Sequence, residues 1–431
     1  MIKIEKSNQI ISPFGGMNYI VSYIKKSGIL ELIDNQLGKR VKQAEYSYSD
    51  LILNLWSVFF TGGDCAEDIN EHLHDYLSTI PDTKVANADT ILGVFKKLKT
   101  ENELVTSSNG KIYETNRHDN LNQLNISILK QLNLLNSDNY YDFDYDNEIL
   151  PTNKRDTKKT YKKVNGYFPG MATVNSHPVY FENRDGNMNV KIDQAAVLQR
   201  CYKMLKDNGI KINRSRMDAG SYSFDIVQTA LEYSRLIYIR ANRSDNLFDL
   251  LLEEREWEKV IINGKAYEVC SLEYHPFKHK KTLAKITYRL VVSREQTGNL
   301  DQNVFTKDNM KYRSILTNDR ASTEKEVIEY YNQRGKEEKE IDILNNDFGW
   351  SKMPFSNMNE NTVFLTIMMI AKNVYTWLIS TFSKAFKCLK KHYRIKKFIF
   401  RFVIVPAKWI KRSRYNVLKI FSQKPYELLK L

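Results

Sequence analysis

Cysteine is scarce in this chain: Cys65, Cys201, Cys270 and Cys388 stand far apart among 431 residues, and no two form a C-x-x-C pair. That spacing argues against a zinc ribbon or a disulfide framework, and a reducing, cytoplasmic setting is expected. The opening stretch MIKIEKSNQIISPFGG has no apolar core of signal-peptide length and no small-residue cleavage site, so export is not expected. Clean apolar runs are missing too. The longest, Val363 to Ser380, is interrupted by Lys372 and Asn373 and reads as a buried core helix rather than a membrane span. With 42% hydrophobic and 27% charged residues, only 9 Pro and 17 Gly, the chain is neither disordered nor collagen-like. The 7 histidines offer no zinc spacing, since Pro276 disturbs the interval from His275 to His279. Acid is missing from one region altogether. Between Ser383 and Lys424 there are 14 Lys and Arg and no Asp or Glu, which equals the whole formal charge of +14.

The length fits about three domain-sized units. Residues 1–130 read as helices, with SYIKKSGILELIDNQL, SDLILNLWSVFF and DTILGVFKKLKT returning apolar residues every three or four positions, and with Asp50 and Asp89 at expected N-caps. From Tyr140 the texture changes to short β-type runs, YYDFDYDNEIL, GYFPGMATV and PVYFENRDG. A helix is predicted from Asp193 to Asn208, then a strand into Arg216-Met217-Asp218, a helix over Phe224 to Tyr233 and a strand over Leu236 to Arg240. The order is strand, strand, strand, helix, strand, helix, strand. A mixed insert spans 244–311, and after it a strand from Tyr312 to Thr317 leads to a helix from Thr323 to about Asn345, whose Thr323 and Glu326 have capping-box spacing. We therefore divide the chain into 1–130, a core at 131–243, an insert at 244–311, a second core part at 312–382 and a basic tail at 383–431.

Asp142, Asp144 and Asp146 alternate with aromatics, so a strand places all three carboxylates on one face. Such a face repels itself unless cations neutralise it. It is either a solvated outer face with the aromatics packed inward, or a carboxylate site for a divalent metal. Asp218 follows a β-type run and precedes Ala219-Gly220-Ser221-Tyr222, a strand-to-helix turn where α/β folds place ligand-binding groups; the competing role is a helix N-cap. Tyr331, Arg334, Glu338, Ile341 and Asn345 recur at helical spacing and form one stripe, either partly buried beside Ile341 or an ordinary solvated face of ion pairs with Lys336, Glu337, Lys339 and Glu340. In the basic tail, Lys384, Lys387, Lys391 and Arg394 share a face if that segment is helical, and Tyr393, Phe398, Phe400, Phe402, Trp409 and Tyr415 are interleaved with cations. That composition suits phosphate contacts, with an amphipathic solvated tail as the alternative.

The spacing Tyr331, two residues, Arg334, three residues, Glu338 resembles the signature helix of the DDE transposases of bacterial insertion sequences. That signature continues with six residues and a Lys, where this chain has Asn345. Together with Phe143-Asp144-Tyr145-Asp146, Tyr161-Lys162-Lys163, Gly166 to Gly170, Glu182 to Asn187 and Arg216-x-Asp218-Ala219-Gly220-Ser221-Tyr222, the set resembles the insertion sequence 1380 family over nearly the full length. The resemblance implies an RNase H-like catalytic domain with a mixed α/β insert and an N-terminal helical DNA-binding region. It implies a triad of metal-binding and catalytic carboxylates: Asp146 or Asp144, then Asp218 and Glu338. Asp146 is favoured because it closes the acidic run, as the family's Asp opens a short polar turn. It further implies Mg²⁺, with Mn²⁺ as a substitute, and double-stranded DNA as partner: terminal inverted repeats and target, held by a dimer in the synaptic complex, with no membrane. Tyr331, Arg334, Lys384, Lys387, Lys391 and Arg394 would contact DNA in a nucleoid-associated bacterial protein. In related hairpin-forming transposases a Trp of the insert stacks on a flipped base, and Trp257 is the insert's only Trp. The alternative for Trp257 is burial beside Leu251 and Leu252 on an amphipathic helix. The alternative for the whole chain is a catalytically inactive or repurposed transposase that binds DNA.

Overall fold

The structure, a computed structural model, describes residues 2–5, 10–242, 250–251, 256–277, 286–296, 309–413 and 415–431, and of residues 336–338 the backbone alone. The fold is mixed α/β, built on one large mixed sheet flanked by many helices.

The sheet strands are β1 (Glu103–Thr106), β2 (Ile112–Asn116) and β3 (Tyr140–Asn147). Then come β4 (Leu150–Pro151), β5 (Lys158–Lys159) and β6 (Asn165–Tyr167), which form a small separate sheet. The large sheet continues through β7 (Gly170–Val174), β8 (His177–Arg184), β9 (Lys211–Met217), β10 (Ser234–Arg240), β11 (Glu258–Ile262), β12 (Lys265–Tyr274), β13 (Tyr288–Gln296) and β14 (Met310–Thr317). Its spatial order is β1-β2-β8-β7-β3-β9-β10-β14-β13-β12-β11. β3, β9 and β10 are mutually parallel at its centre, and their neighbours run antiparallel. Parallel neighbours need helical crossovers. The helices Gln194–Asp207 and Phe224–Tyr233 supply them, with Val197, Leu198, Cys201, Ile226, Val227 and Ala230 buried against the sheet. The described part of the insert, β11 to β13, extends this sheet through β14.

A second core joins the two ends of the chain. The Tyr48–Thr61 helix is buried on nearly every side, and the Met358–Ala385 helix lies against it with Trp56 donating to the Ile367 carbonyl at 3.2 Å. The latter helix is long and apolar enough to cross a membrane, yet 89% of its most apolar window is buried in the protein. Its interruption by Lys372 is resolved internally: the ammonium pairs with Glu340 and donates to the Ser176 carbonyl at 3.0 Å.

Several local expectations change. The N-caps are Ser47, with Asp50 closing a capping box, and Asn87, not Asp50 and Asp89. The Thr323 and Glu326 capping box forms as expected. The single helix predicted after it is two, Glu324–Asn332 and Gly335–Asp347, broken at Gln333 and Arg334. The tail is not one basic helix. Past Ala385 the chain turns, and Phe386, Leu389, Ile395, Phe398 and Phe402 insert into the second core. Lys384 and Lys387 therefore lie on either side of a helix end, and the four-cation helical face does not exist. A hairpin, β15 (Ala407–Arg412) with β16 (Tyr415–Ile420), follows.

Candidate functional site

β3 and β9 run parallel in a register that sets Asp142 beside Arg214 and Asp144 beside Arg216. Arg214 grips both oxygens of Asp142 at 2.8 and 2.7 Å, and Arg216 grips both oxygens of Asp144 at 2.6 Å each. Both guanidinium groups lie over the Tyr330 ring, at 3.9 and 4.5 Å, and Arg216 also donates to the Tyr330 carbonyl at 2.9 Å. The self-repelling acidic face is thus neutralised, for two of its three members, by arginines from the neighbouring strand. Burial pushes the Asp144 carboxyl up, and Arg216 pulls it back down. With both oxygens engaged by Arg216 and the side chain only 7% exposed, Asp144 is held between the strands.

One step further along the strands the pattern changes. The residue after β9 on this face is Asp218, so the strand end places a second carboxylate, not an arginine, near Asp146. Both line a cavity of about 320 Å³ together with Asn147, Tyr161, Phe168 and residues 186–190. Asp146 accepts from its neighbour Asn147 N at 2.9 Å and from Arg334 Nη1 at 2.6 Å. Burial pushes its carboxyl from 3.8 up to about 6, with Arg334 opposing and the negative charge of Asp218 adding to the rise. Asp218 also fills its alternative role: its Oδ1 accepts from Ser221 N at 3.3 Å and caps the short Ala219–Ser221 helix. The turn is tight: a Cβ on Gly220 would stand 3.0 Å from Asp218 Oδ1 and 2.9 Å from Val190 Cγ1, so either neighbour would have to shift.

The far wall is held by a residue that composition does not single out. Arg184, fully buried at the end of β8, donates to the carbonyls of Val190 and Asn189 at 3.3 Å each and to that of Ile192, which pins the loop over the carboxylates. Arg184 lies within the Glu182 to Asn187 motif, which was its only sequence signal. The helix break places Arg334: Tyr331 anchors the preceding turn through its hydroxyl to the Met217 carbonyl at 3.2 Å, and Arg334 then reaches Asp146. The Gly335–Asp347 helix packs against β3. Glu338 lies on that helix, and its side chain is outside the described residues.

The remaining candidates lie elsewhere. Trp257 precedes β11, with Arg294 over its ring at 3.9 Å and Tyr312 edge-on at 6.1 Å, so one indole face is covered; Leu252 is outside the described residues. Lys384, Lys387 and Lys391 are exposed, whereas Arg394 pairs with Asp342 and Asp347 at 2.7 Å each. Among the described residues, Asp64, Cys65 and Asp68 are close enough together to share an ion. Turn contacts already occupy two of them: Asp68 accepts from the amide of Asp64 at 2.8 Å, and Lys352 pairs with Asp64.

The donor set at the cavity fits a hard divalent cation. Asp146 and Asp218 bring anionic oxygens whose mutual repulsion a cation relieves, and the buried Asn147 amide has no hydrogen-bond partner at Oδ1 or Nδ2 among the described residues. Among the described residues the cavity lining offers oxygen donors and no thiol or imidazole.

A family model described as transposase DDE domain group 1 matches residues 2–430. Among solved structures, a piggyBac transposase in a synaptic complex with hairpin DNA aligns at 10% identity and a TM-score of 0.44, covering 90% of this chain and 78% of that one. No curated protein matches.

Proposed function

We propose that this chain, which belongs to the transposase DDE domain group 1 family, binds the ends of a mobile element, cuts the DNA there and joins the freed 3′ end to a target. The observation that carries the reading is the pair Asp146 and Asp218 on one cavity at the ends of adjacent parallel strands. The strand order β8-β7-β3-β9-β10, with three parallel members, supports an RNase H-like core. In such a core the first carboxylate lies on the first strand and the second just after the fourth, which is where Asp146 and Asp218 stand. The insertion sequence 1380 family remains the narrower assignment, on the motifs given above.

Asp146, Asp218 and Glu338 would hold the metal, with Asp144 serving as the buried partner of Arg216 rather than as a ligand. Family members generally use divalent metals, and bound Mg²⁺ supplies activation of the attacking oxygen and stabilisation of the leaving oxygen at phosphorus. The chain's own residues do the positioning. Arg334 fixes the Asp146 carboxylate and adds positive charge facing the scissile phosphate. Arg184 keeps the 186–190 loop closed over the site. Tyr331 ties the helix bearing Arg334 to the end of β9. Lys384, Lys387 and Lys391 add sequence-independent affinity for duplex DNA, as a dimer across two ends. Trp257 could stack on a base only through the face that Arg294 does not cover.

A second reading, a repurposed DNA-binding transposase, is favoured by two observations: Arg334 occupies an oxygen of Asp146, and Asn345 replaces the signature Lys. Incubation with DNA carrying the element's own ends and Mg²⁺ separates the two. Nicked and joined strands are expected; binding without metal-dependent products would select the second.

A further inference from the structure

The β15–β16 hairpin stands apart from the large sheet as a two-stranded ribbon whose two faces differ. Its inner face is fastened to the second core. Trp409 donates to Asn18 at 2.8 Å, Leu418 and Ile420 pack on that core, and Ala407 bridges Ser12. Its outer face carries three cross-strand rungs: half-buried Lys408 with exposed Lys419, half-buried Ile410 with half-buried Val417, and exposed Arg412 with exposed Tyr415. Cations occupy both ends of this face and an aliphatic pair its middle. Lys411 adds charge near the turn, and no carboxylate occurs anywhere from Ser383 to Lys424.

We propose that this outer face seats in the major groove of duplex DNA. The inference rests on the reading above that DNA is the substrate. It goes beyond that reading by assigning a groove-entering element at a distance in sequence from the carboxylates. Two arguments carry it. The first is charge: a face with three cations and no acid matches a polyanion and nothing neutral. The second is dimension. Rungs four residues apart are separated by roughly 13–14 Å at strand rise, close to the roughly 12 Å width of the major groove, which admits a two-stranded ribbon. The outer rungs then reach phosphates on opposite groove walls, while Ile410 and Val417 face the base edges, where thymine methyls offer apolar contact. The ribbon is held by the inner-face contacts before DNA arrives, so little ordering cost attaches to docking.

The test is binding in metal-free buffer to a duplex about three helical turns long, followed by fluorescence anisotropy across a salt series. The triple variant Lys408→Gln, Arg412→Gln, Lys419→Gln should lower the slope of log affinity against log salt by about 2.7. A control that removes three exposed lysines elsewhere, Lys203→Gln, Lys259→Gln and Lys311→Gln, should lower it by less. An unchanged slope in the ribbon variant, or an equal drop in both, overturns the proposal. Lysine acetylation of the unaltered protein gives a readout independent of variant folding: duplex should shield the exposed Lys419, and unshielded reactivity there overturns it. Exposed Phe400, Ile404 and Phe421 nearby make an anionic membrane the rival occupant. If the ribbon variant loses binding to phosphatidylserine vesicles while duplex binding is intact, the rival is correct. A protein that binds duplex through the ribbon but never nicks it would remove the transposase reading and leave this inference standing.

Discussion

Along the β3 and β9 pair, two rungs and their continuation carry the same acid on one strand and opposite partners on the other. Asp142 and Asp144 meet Arg214 and Arg216, whereas Asp146 meets the strand end that carries Asp218. The contrast shows how one alternating acidic run serves two purposes. Where the neighbour supplies a guanidinium, the carboxylate is spent on holding strands together. Where it supplies another carboxylate, Asp146 turns instead to Arg334 from the helix break and lines a cavity with Asp218.

The most severe way to break this contrast is to remove the acid from the cavity end. Asp218→Ala should reduce metal-dependent cleavage of element ends by on the order of 10³-fold or more, while binding of the same DNA persists, as seen by gel shift. The next largest effect should be thermodynamic. Asp144→Ala leaves Arg216 buried without its partner and should destabilise the fold by about 3–5 kcal/mol, read from denaturant unfolding. Because Asp144 does not face the cavity, cleavage per folded molecule should change little.

The pH response sharpens the same contrast. Burial pushes the Asp146 carboxyl up from its ordinary 3.8 to about 6, so the folded protein keeps that proton to higher pH than the unfolded chain does. The contribution of Asp146 to metal-free stability is therefore full below about 4 and is lost as pH rises through 6, by roughly 3 kcal/mol. Thermal melts with and without Mg²⁺ should show little metal stabilisation at pH 5 and a clear gain at pH 7.5, and Asp218→Asn should weaken both trends. The smallest effect belongs to the exposed end: Arg214 and Asp142 are 37% and 22% exposed, and Asp142→Asn should cost no more than about 1 kcal/mol.

Much of this arrangement was legible from residues alone. Helical periodicity located Phe224–Tyr233, the capping box located Thr323, and the alternation in YYDFDYDN located β3. The division of labour within the acidic run was not legible, because it depends on the register between strands some 70 residues apart. Arg214 and Arg216 become partners only once that register is fixed. The helix break at Arg334 was hidden by an unbroken polar pattern, since Gly335 alone does not end a helix. Within 1–130, which reads as helices, the chain forms the β1–β2 hairpin instead, and its sequence signal is the Asn109-Gly110 turn between two short strands. In the tail, dense Lys and Arg masked the apolar positions that bury Phe386, Phe398 and Phe402, so composition read as a free arm where packing makes a docked segment.

The central claim is that Asp218 and Asp146 hold the reaction while Asp144 holds the fold. It is tested most directly by one cleavage assay on element ends in Mg²⁺, run side by side for the unaltered protein, Asp218→Asn and Asp144→Asn, with nicked strand counted per folded molecule. The account predicts nicking by the Asp144 variant at close to the unaltered rate and none above background by the Asp218 variant. Nicking by the Asp218 variant at the unaltered rate, or its loss in the Asp144 variant alone, would contradict it.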